Sequence, residues 1–563
     1  MSDQHSRTRP AEETPDTFGA YPRLTQAQIE RLGLGAQHRT VKVGDVLIAE
    51  GEPSSDFLVV VSGLVATYEA YGTPEQHQLA VHGAGRFLGE LGTLSGHAAF
   101  ITTVALTDGE VIALPSDRLR TRIAADTHLG DVILRAMLQR RSMLIGLGAG
   151  FRIIGSRYSP DTRRLRDFAA RNRLPHRWID LDTDHNAEAL LLALGVAAAD
   201  TPLVIWRDVH LLRNPSNIQL ARLVGLPVPL DAPTSCDLLV VGAGPAGLAA
   251  CVYGASEGLD TVAVEAIATG GQAGTSPLIE NYLGFPTGLS GAELAERASI
   301  QAAKFGARIT VSARAAALAA DDGYHTVMLD DGSHIRARTV LIATGAQYRK
   351  PHIANLSRLE GVSVYYAATL TEARLCAGDP IAVIGGGNSA GQAALFLAQH
   401  AANVTLLVRH SDLGQDMSRY LVDQLASHPR VAVLTNTEAR DLVGDRTLEA
   451  VIAEDNQTGQ RTRIDARSLF VFIGAIPGTG WLAGCLDVDD HGFIRTGMDI
   501  YPQPALSMPL LLESSRTGVF AAGDVRAGSI KRVAASVGEG AMAVRMVHER
   551  LRAATGYDES TPE

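Results

Sequence analysis

Twice along this chain a run of apolar residues ends in a glycine-rich turn, and that duplication constrains the fold more than any other feature. Leu238-Leu239-Val240-Val241 enters Gly242-Ala-Gly244-Pro245-Ala246-Gly247 directly, and a helical stretch then leads to the strand Val262–Val264 and Glu265. The first glycine permits a tight turn, the second lets backbone amides approach a pyrophosphate, and the third allows close packing of helix on strand. The helix N-terminus offers unpaired N–H groups and positive dipole to phosphates. Glu265, about 20 residues further on, stands where an acid accepts hydrogen bonds from an adenosine ribose. The second copy runs from Ile381–Ile384 through Gly385-Gly-Gly387-Asn388-Ser389-Ala390 and a helix to Val404–Val408, and it ends on Arg409. An arginine there pairs with the extra phosphate of NADP, so NADPH is preferred at this copy. Two fingerprints ending in opposite charges imply two different dinucleotides meeting for hydride transfer.

The remainder of the 563 residues must fold into further domains, because one core does not serve a chain of that length. Apolar residues make up 46% and charged residues 20%, the balance of an ordinary globular protein. A net charge of −11 leaves no basic surplus for a phosphate backbone or an anionic membrane, which disfavours nucleic-acid and membrane partners. Residues 1–20 are polar, with no apolar stretch of signal-peptide type, and read as a disordered tail. No apolar run approaches the ~20 residues that span a bilayer. Cys236, Cys251, Cys376 and Cys485 are scattered without Cys-x-x-Cys spacing, so a reducing, cytoplasmic location fits. None of the 17 histidines has metal-ligand spacing, and no metal site is expected.

The segments read in order. Residues 21–147 begin with short β-branched runs such as Val41–Val43 and Phe57–Val61 between glycine turns, as in a β-barrel or jelly roll. They close with one or two helices between Asp117 and Leu147, where Ile123, Val132, Ile133, Met137 and Leu144 hold helical spacing. Residues 150–228 alternate strand (Phe151–Ile154), helix (Thr162–Asn172), strand (Trp178–Leu181), helix (Ala187–Leu194) and strand (Leu203–Trp206). A proline-rich linker follows.

From Cys236 onward a family is recognisable. Gly270-Gly271-Gln272, Ile279-Glu280-Asn281-Tyr282, Ala343-Thr344-Gly345-Ala346 and Gly518-Val-Phe-Ala-Ala-Gly523-Asp524 together resemble the class II pyridine nucleotide–disulfide oxidoreductases of thioredoxin reductase type. The resemblance implies an FAD domain at 236–350 and 473–556, with an NAD(P)H domain at 351–472 inserted into it. It implies that Gly271, Gln272 and Asn281 lie near the flavin ring and that Gly523 and Asp524 contact the ribityl-phosphate region. Thr344, Gly345 and the start of the closing helix, Arg532-Val533-Ala534, complete the FAD set. A homodimer is also implied. Where the family carries two adjacent arginines for the 2′-phosphate this chain has Arg409 and His410, which leaves NADH possible as well.

Thioredoxin reductases carry Cys-x-x-Cys just before the second fingerprint, to accept electrons from the flavin and pass them on as a dithiol. Here that stretch reads Val364-Tyr365-Tyr366-Ala367-Ala368-Thr369, and no thiol pair can form. Relatives without the pair, such as the ferredoxin–NADP reductases of this fold, hand electrons from flavin to a partner.

The two leading segments have resemblances of their own. Residues 150–228 are similar to a thioredoxin or glutaredoxin fold, with Thr201-Pro202 at the cis-proline position. The active-site position is Ser159-Pro160-Asp161-Thr162, which lacks the thiol, so Ser159 is read as a helix N-cap. Residues 21–147 resemble a cyclic nucleotide-binding domain, with Gly89 and Glu90 at the phosphate cassette and Glu90 placed for a ribose hydroxyl. Phe100 stands about where that family has the arginine for the cyclic phosphate, and burying a phosphate without its cation is costly.

The fold expected is therefore multidomain α/β. It has two Rossmann-like (three-layer ββα) dinucleotide-binding domains, preceded by a β jelly roll and a small thioredoxin-like domain. The expected function is an NADPH-dependent FAD oxidoreductase passing electrons to an unidentified redox protein or small molecule. The alternatives are a thioredoxin-disulfide reductase that borrows thiols from a partner, and a nucleotide-responsive redox sensor. No catalytic side chain is singled out.

Overall fold

The computed structural model describes the chain except residues 1–11, 54–55, 185–190, 192–194, 198–199, 208–209, 229–233, 277–278, 280–281, 322, 361, 367, 369–371, 374–375, 483, 501–508 and 556–563. It divides into two units, Met1–Gly345 with Thr479–Glu563, and Ala346–Gly478.

The first unit opens with a barrel of two four-stranded sheets. One orders Gln37–Val41, Gly109–Pro115, Asp56–Ser62 and Phe87–Leu88; the other orders Val46–Ile48, Thr102–Ala105, Val65–Glu69 and His77–His82. Asp56–Ser62 shows why this is a barrel wall: Phe57, Leu58, Val59 and Val60 are all buried, as a strand between a barrel interior and covering helices requires. The first strand covers Gln37–Val41, and Val43, expected within it, is 67% exposed in the following turn. The helices Ser116–Ala125 and Thr127–Leu147 close the domain, the second capped by the Asp126 carboxylate accepting from Leu129 N at 3.0 Å. A disordered tail through residue 20 does not hold over residues 12–20. Thr14 N donates to Val81 O at 3.1 Å and Ala20 is buried, because backbone bonding to the barrel offsets the ordering entropy.

Next comes a four-stranded sheet in the order His176–Asp180, Phe151–Gly155, Leu203–Trp206, His210–Arg213, the first pair parallel and the rest antiparallel. The helix Pro160–Arg171 is capped by Ser159, whose hydroxyl accepts from Thr162 N at 3.3 Å, and the Thr201–Pro202 bond is cis. The helix expected over Ala187–Leu194 lies almost wholly outside the described residues.

The flavin-type half follows. Its seven-stranded sheet runs Arg308–Thr310, Thr261–Val264, Thr234–Val241, His334–Ile342, Tyr324–Leu329, Ala315–Asp321, with Val519–Ala521 parallel to the C-terminal end of His334–Ile342. The period of two divides the central strand between two cores. Leu239 and Val241 pack with Val262, Val340 and Val519, while Leu238 and Val240 pack under the helices Pro245–Ser256 and Val533–Thr555.

In the second unit a five-stranded parallel sheet orders Val364–Tyr365, Ser468–Val471, Pro380–Ile384, Asn403–Leu407, Val431–Leu434, beside a three-stranded antiparallel sheet. Both nucleotide-type sheets are thus parallel at their centres with strands buried on both faces.

Candidate functional site

At the first fingerprint the strand Thr234–Val241 delivers Gly242 at φ +102°, and the helix Pro245–Ser256 starts at once behind it. The turn is tight enough that a side chain at Gly247 would collide with the carbonyl oxygen of Gly242. Gly244 is the helix N-cap and has no side chain to cap the first turn, so no side-chain acceptor competes there with a phosphate. Pro245 and Ala246 occupy that first turn. Gly271 faces them, and a Cβ on it would lie 3.0 Å from Gly244 Cα. These two glycines form a cradle free of side chains.

Glu265 follows the strand Thr261–Val264, and its two oxygens accept from Ala243 N at 2.8 Å and Ile267 N at 3.1 Å. The acid is thereby locked beside the glycine turn. Gln272 is exposed next to the cradle, and Asn281 lies outside the described residues. Thr344 and Gly345 follow the strand His334–Ile342, with Ala343 N bonded to Val241 O at 2.8 Å.

Gly523, at φ +75°, comes within 3.1 Å of Ala246 Cβ at the position its own Cβ would take. Burial raises the Asp524 carboxyl, opposed by Lys531 and by Ser536, whose hydroxyl donates across 3.5 Å. Val533 and Ala534 open the helix Val533–Thr555, and Arg532 precedes it, exposed. The same helix crosses Pro245–Ser256 so closely that a side chain at Gly540 would strike Ala246 backbone. Gly242, Gly244, Gly247, Glu265, Gly271, Gly523 and Asp524 are thus brought to one end of one sheet. The donor set, an uncapped helix start, a glycine cradle and a fixed acid beyond it, suits a dinucleotide such as FAD.

Glu539 was not legible in the sequence. Its carboxylate accepts from Gly523 N at 2.7 Å and pairs with Arg526 at 2.6 Å, fixing the Gly-Asp turn from nearly two turns into the closing helix.

In the second unit the strand Pro380–Ile384 leads to Gly385, whose Cβ would meet Phe472 O and Ala390 Cβ, and Gly387 caps the helix Asn388–Leu397 without a side-chain bond. Asn388 is held by its carbonyl oxygen, which accepts from Ser418 N at 2.7 Å, and Ser389 and Ala390 complete the first turn. Arg409 is exposed just past the strand Asn403–Leu407. Its Nε donates to His410 Nε2 at 2.9 Å. The residues fit an NAD(P)H dinucleotide.

The thiols stand apart from both. Cys236, Cys251 and Cys376 are buried, and burial pushes them up to about 12, about 12 and about 11, far from a reactive thiolate. Cys485 is half-buried and donates to Leu318 O at 3.4 Å. Among the described residues no cluster of His, Cys, Asp or Glu is suited to a metal, and no helix is long and apolar enough to cross a membrane.

In the barrel, Gly89 (φ +85°) starts the short helix Glu90–Ser95. Glu90 is 1% exposed and ion-paired with Arg140 at 2.8 Å, a partner 50 residues away that local motif reading did not find. Phe100 stacks on Trp206 of the thioredoxin-like domain, ring centroids 5.6 Å apart.

Comparison with known proteins follows this anatomy. The family model for pyridine nucleotide-disulphide oxidoreductases matches residues 236–540, and that for the cyclic nucleotide-binding domain matches residues 38–126. The chain is 33% identical over 310 residues to the thioredoxin reductase of Treponema pallidum, spanning 55% of this chain and 95% of that one. It is 32% identical over 315 residues to a 34.2 kDa protein in a rubredoxin operon of Clostridium pasteurianum, spanning 56% of this chain and 97% of that one. The crystal structure of thioredoxin reductase from Streptococcus pyogenes matches with a TM-score of 0.51 at 29% identity, covering 57% of this chain and 100% of that one. The glycine cradles therefore belong to a shared design, and the chain is a member of the pyridine nucleotide-disulphide oxidoreductase family, a thioredoxin reductase-like oxidoreductase using FAD and NAD(P)H, joined to an N-terminal domain of cyclic nucleotide-binding type.

Proposed function

We propose that this protein oxidises NADPH and passes the electrons directly to an acceptor outside the chain, with no dithiol relay. FAD, when bound, supplies the two-electron chemistry between nicotinamide and acceptor. The observation that carries the reading is the cysteine inventory. The relay stretch Val364–Thr369 holds no cysteine, and burial holds Cys236, Cys251 and Cys376 as neutral thiols.

The chain's own residues bind and orient. Gly244, Gly271 and the uncapped first turn at Pro245 receive one pyrophosphate, and Glu265 receives the adjoining ribose. Gly387 and the first turn at Asn388 receive the other, with Arg409 selecting the 2′-phosphate. A relative in a rubredoxin operon favours a small redox protein as the acceptor class, with a quinone or another small molecule next. By the same family likeness the working form is a homodimer.

Anaerobic titration of the purified, flavin-loaded protein with NADPH and separately with NADH tests this. Prompt bleaching of the flavin band by NADPH, with slower or weaker bleaching by NADH, is the expected result. A bound flavin that stays oxidised with both would sink the reductase reading and leave a nucleotide-responsive sensor.

A further inference from the structure

In the second unit the strand Asn403–Leu407 runs out into Val408, Arg409 and His410, and three successive carbonyls there are each held by one donor. Val408 O accepts from Thr437 N at 2.9 Å, Arg409 O from Asn456 Nδ2 at 2.8 Å, and His410 O from Asn436 N at 3.0 Å. The outer two bonds run backbone to backbone and persist whatever the side chains are. The middle one, on Arg409 itself, depends on a side chain 47 residues away.

The antiparallel sheet explains how Asn456 comes to be there. Thr437–Val443 pairs with Ala450–Asp455, Thr437 opposite Asp455, so Asn436 and Asn456 face each other one step beyond the ladder. Asn456 N donates to Asn436 O at 2.7 Å, which fixes the backbone that carries the amide. Asn436, at φ +52°, turns the chain so that its own N–H meets His410 O, and asparagine tolerates that left-handed backbone better than most residues. A carbonyl oxygen only accepts, so the Asn456 amide presents its nitrogen to Arg409. With all three peptide groups pinned, the Cα–Cβ bond of Arg409 leaves the strand end in one direction. A long exposed side chain loses rotamer freedom when it grips a ligand, and a fixed backbone beneath it leaves less freedom to lose.

We propose that Asn456 is a positioning residue for nucleotide choice, holding the Arg409 carbonyl so that the guanidinium is aimed at the 2′-phosphate of NADPH. This rests on the reading that Arg409 takes that phosphate, and the experiment separates the two.

The full-length, flavin-loaded protein is titrated calorimetrically with 2′,5′-ADP, and KM is measured for NADPH and NADH with an artificial acceptor. The variants are Asn456→Ala, Arg409→Ala, the two combined, and Thr458→Ala. The last loosens the same turn by removing the hydroxyl bond to Asp455 Oδ1 at 3.0 Å and leaves the Asn456 amide in place. Arg409→Ala should weaken 2′,5′-ADP about tenfold or more, through loss of a charge-assisted contact. Asn456→Ala should weaken it about threefold to tenfold, the range of one net hydrogen bond, with KM for NADPH rising in step and KM for NADH by less than about twofold. The double variant should lose no more than Arg409→Ala alone, because Asn456 acts only through Arg409, and Thr458→Ala should match the parent. No effect of Arg409→Ala would remove the reading of Arg409 and this inference with it. With Arg409→Ala weakened as expected, an unchanged Asn456→Ala, a further loss in the double variant, an equal loss in Thr458→Ala, or an equal rise in both KM values would overturn the inference alone.

Discussion

Glu296 is the most informative residue to perturb, because its carboxylate joins three parts of the first unit. It lies on the helix Gly291–Lys304 of the flavin-type domain. Its Oε1 meets Arg141 of the barrel helix at 2.7 Å, and its Oε2 meets Arg173 of the thioredoxin-like domain at 3.0 Å. The three side chains are 7%, 5% and 16% exposed, and Arg141 also donates to His97 Nδ1 at 3.1 Å. Removing one partner of a buried pair costs about 3–5 kcal/mol, because the other charge is left buried. Glu296→Gln keeps one acceptor for Arg141, so the lower end, about 3 kcal/mol, is expected. The same helix supplies the control. Glu293 pairs with Arg297 at 2.8 Å, almost the same distance, but at 34% and 39% exposure. Glu293→Gln should cost less than about 1 kcal/mol, even with its helix-start position counted. Urea denaturation followed by circular dichroism and by flavin fluorescence would compare the two variants. Glu296→Gln should lower the first transition far more than Glu293→Gln. Equal shifts would show that burial does not set the strength of this junction, and the reasoning would fail.

Other outcomes follow from individual sites. Arg409→Ala should raise the KM for NADPH about tenfold or more and leave that for NADH nearly unchanged, measured by steady-state oxidation with an artificial acceptor. Alkylation with iodoacetamide should leave NADPH oxidation intact, since three of the four thiols are buried and none serves as a relay; loss of turnover in step with modification would restore a thiol mechanism. His97 is held well below its ordinary range by burial and then by Arg141. The unfolded chain therefore binds a proton near pH 6.5 that the folded chain refuses, so stability falls as pH drops below 6.5. His97→Gln should flatten that acid slope by about 1.4 kcal/mol per pH unit, read from denaturation midpoints between pH 6.5 and 5. Glu50 has the opposite sign: burial raises it to about 7, against a hydrogen bond from Trp206 Nε1 at 3.0 Å, so the folded chain keeps a proton the unfolded chain has lost. Glu50→Gln should stabilise the protein at pH 8 by on the order of 3 kcal/mol, the gain vanishing towards pH 4.5.

What the sequence made legible, and what it hid, divides along sequence separation. The glycine turns could be read because their physics is local. Gly242 and Gly247 are five residues apart, and their spacing alone demands a strand entering a helix at close quarters. The same holds for Ser159, three residues before the amide it caps. Apolar periodicity likewise located Phe57–Val61 and Leu203–Trp206, since burial alternates or persists along a strand whatever lies across from it. Val43 was misplaced because a β-branched residue in a turn carries no mark distinguishing it from one in a strand.

The charged junctions had no such signature. Arg141 and Glu296 are 155 residues apart, Trp206 and Glu50 are 156 apart, and nothing near either residue of a pair names its partner. Glu90 shows how this limits the reading of function as well as fold. Its position in Phe87-Leu-Gly89-Glu90-Leu91 suggests an acid waiting for a ribose, but its environment is decided by Arg140 on a helix that a motif never mentions. An acid already neutralised by a buried guanidinium is a different recognition element from a free one.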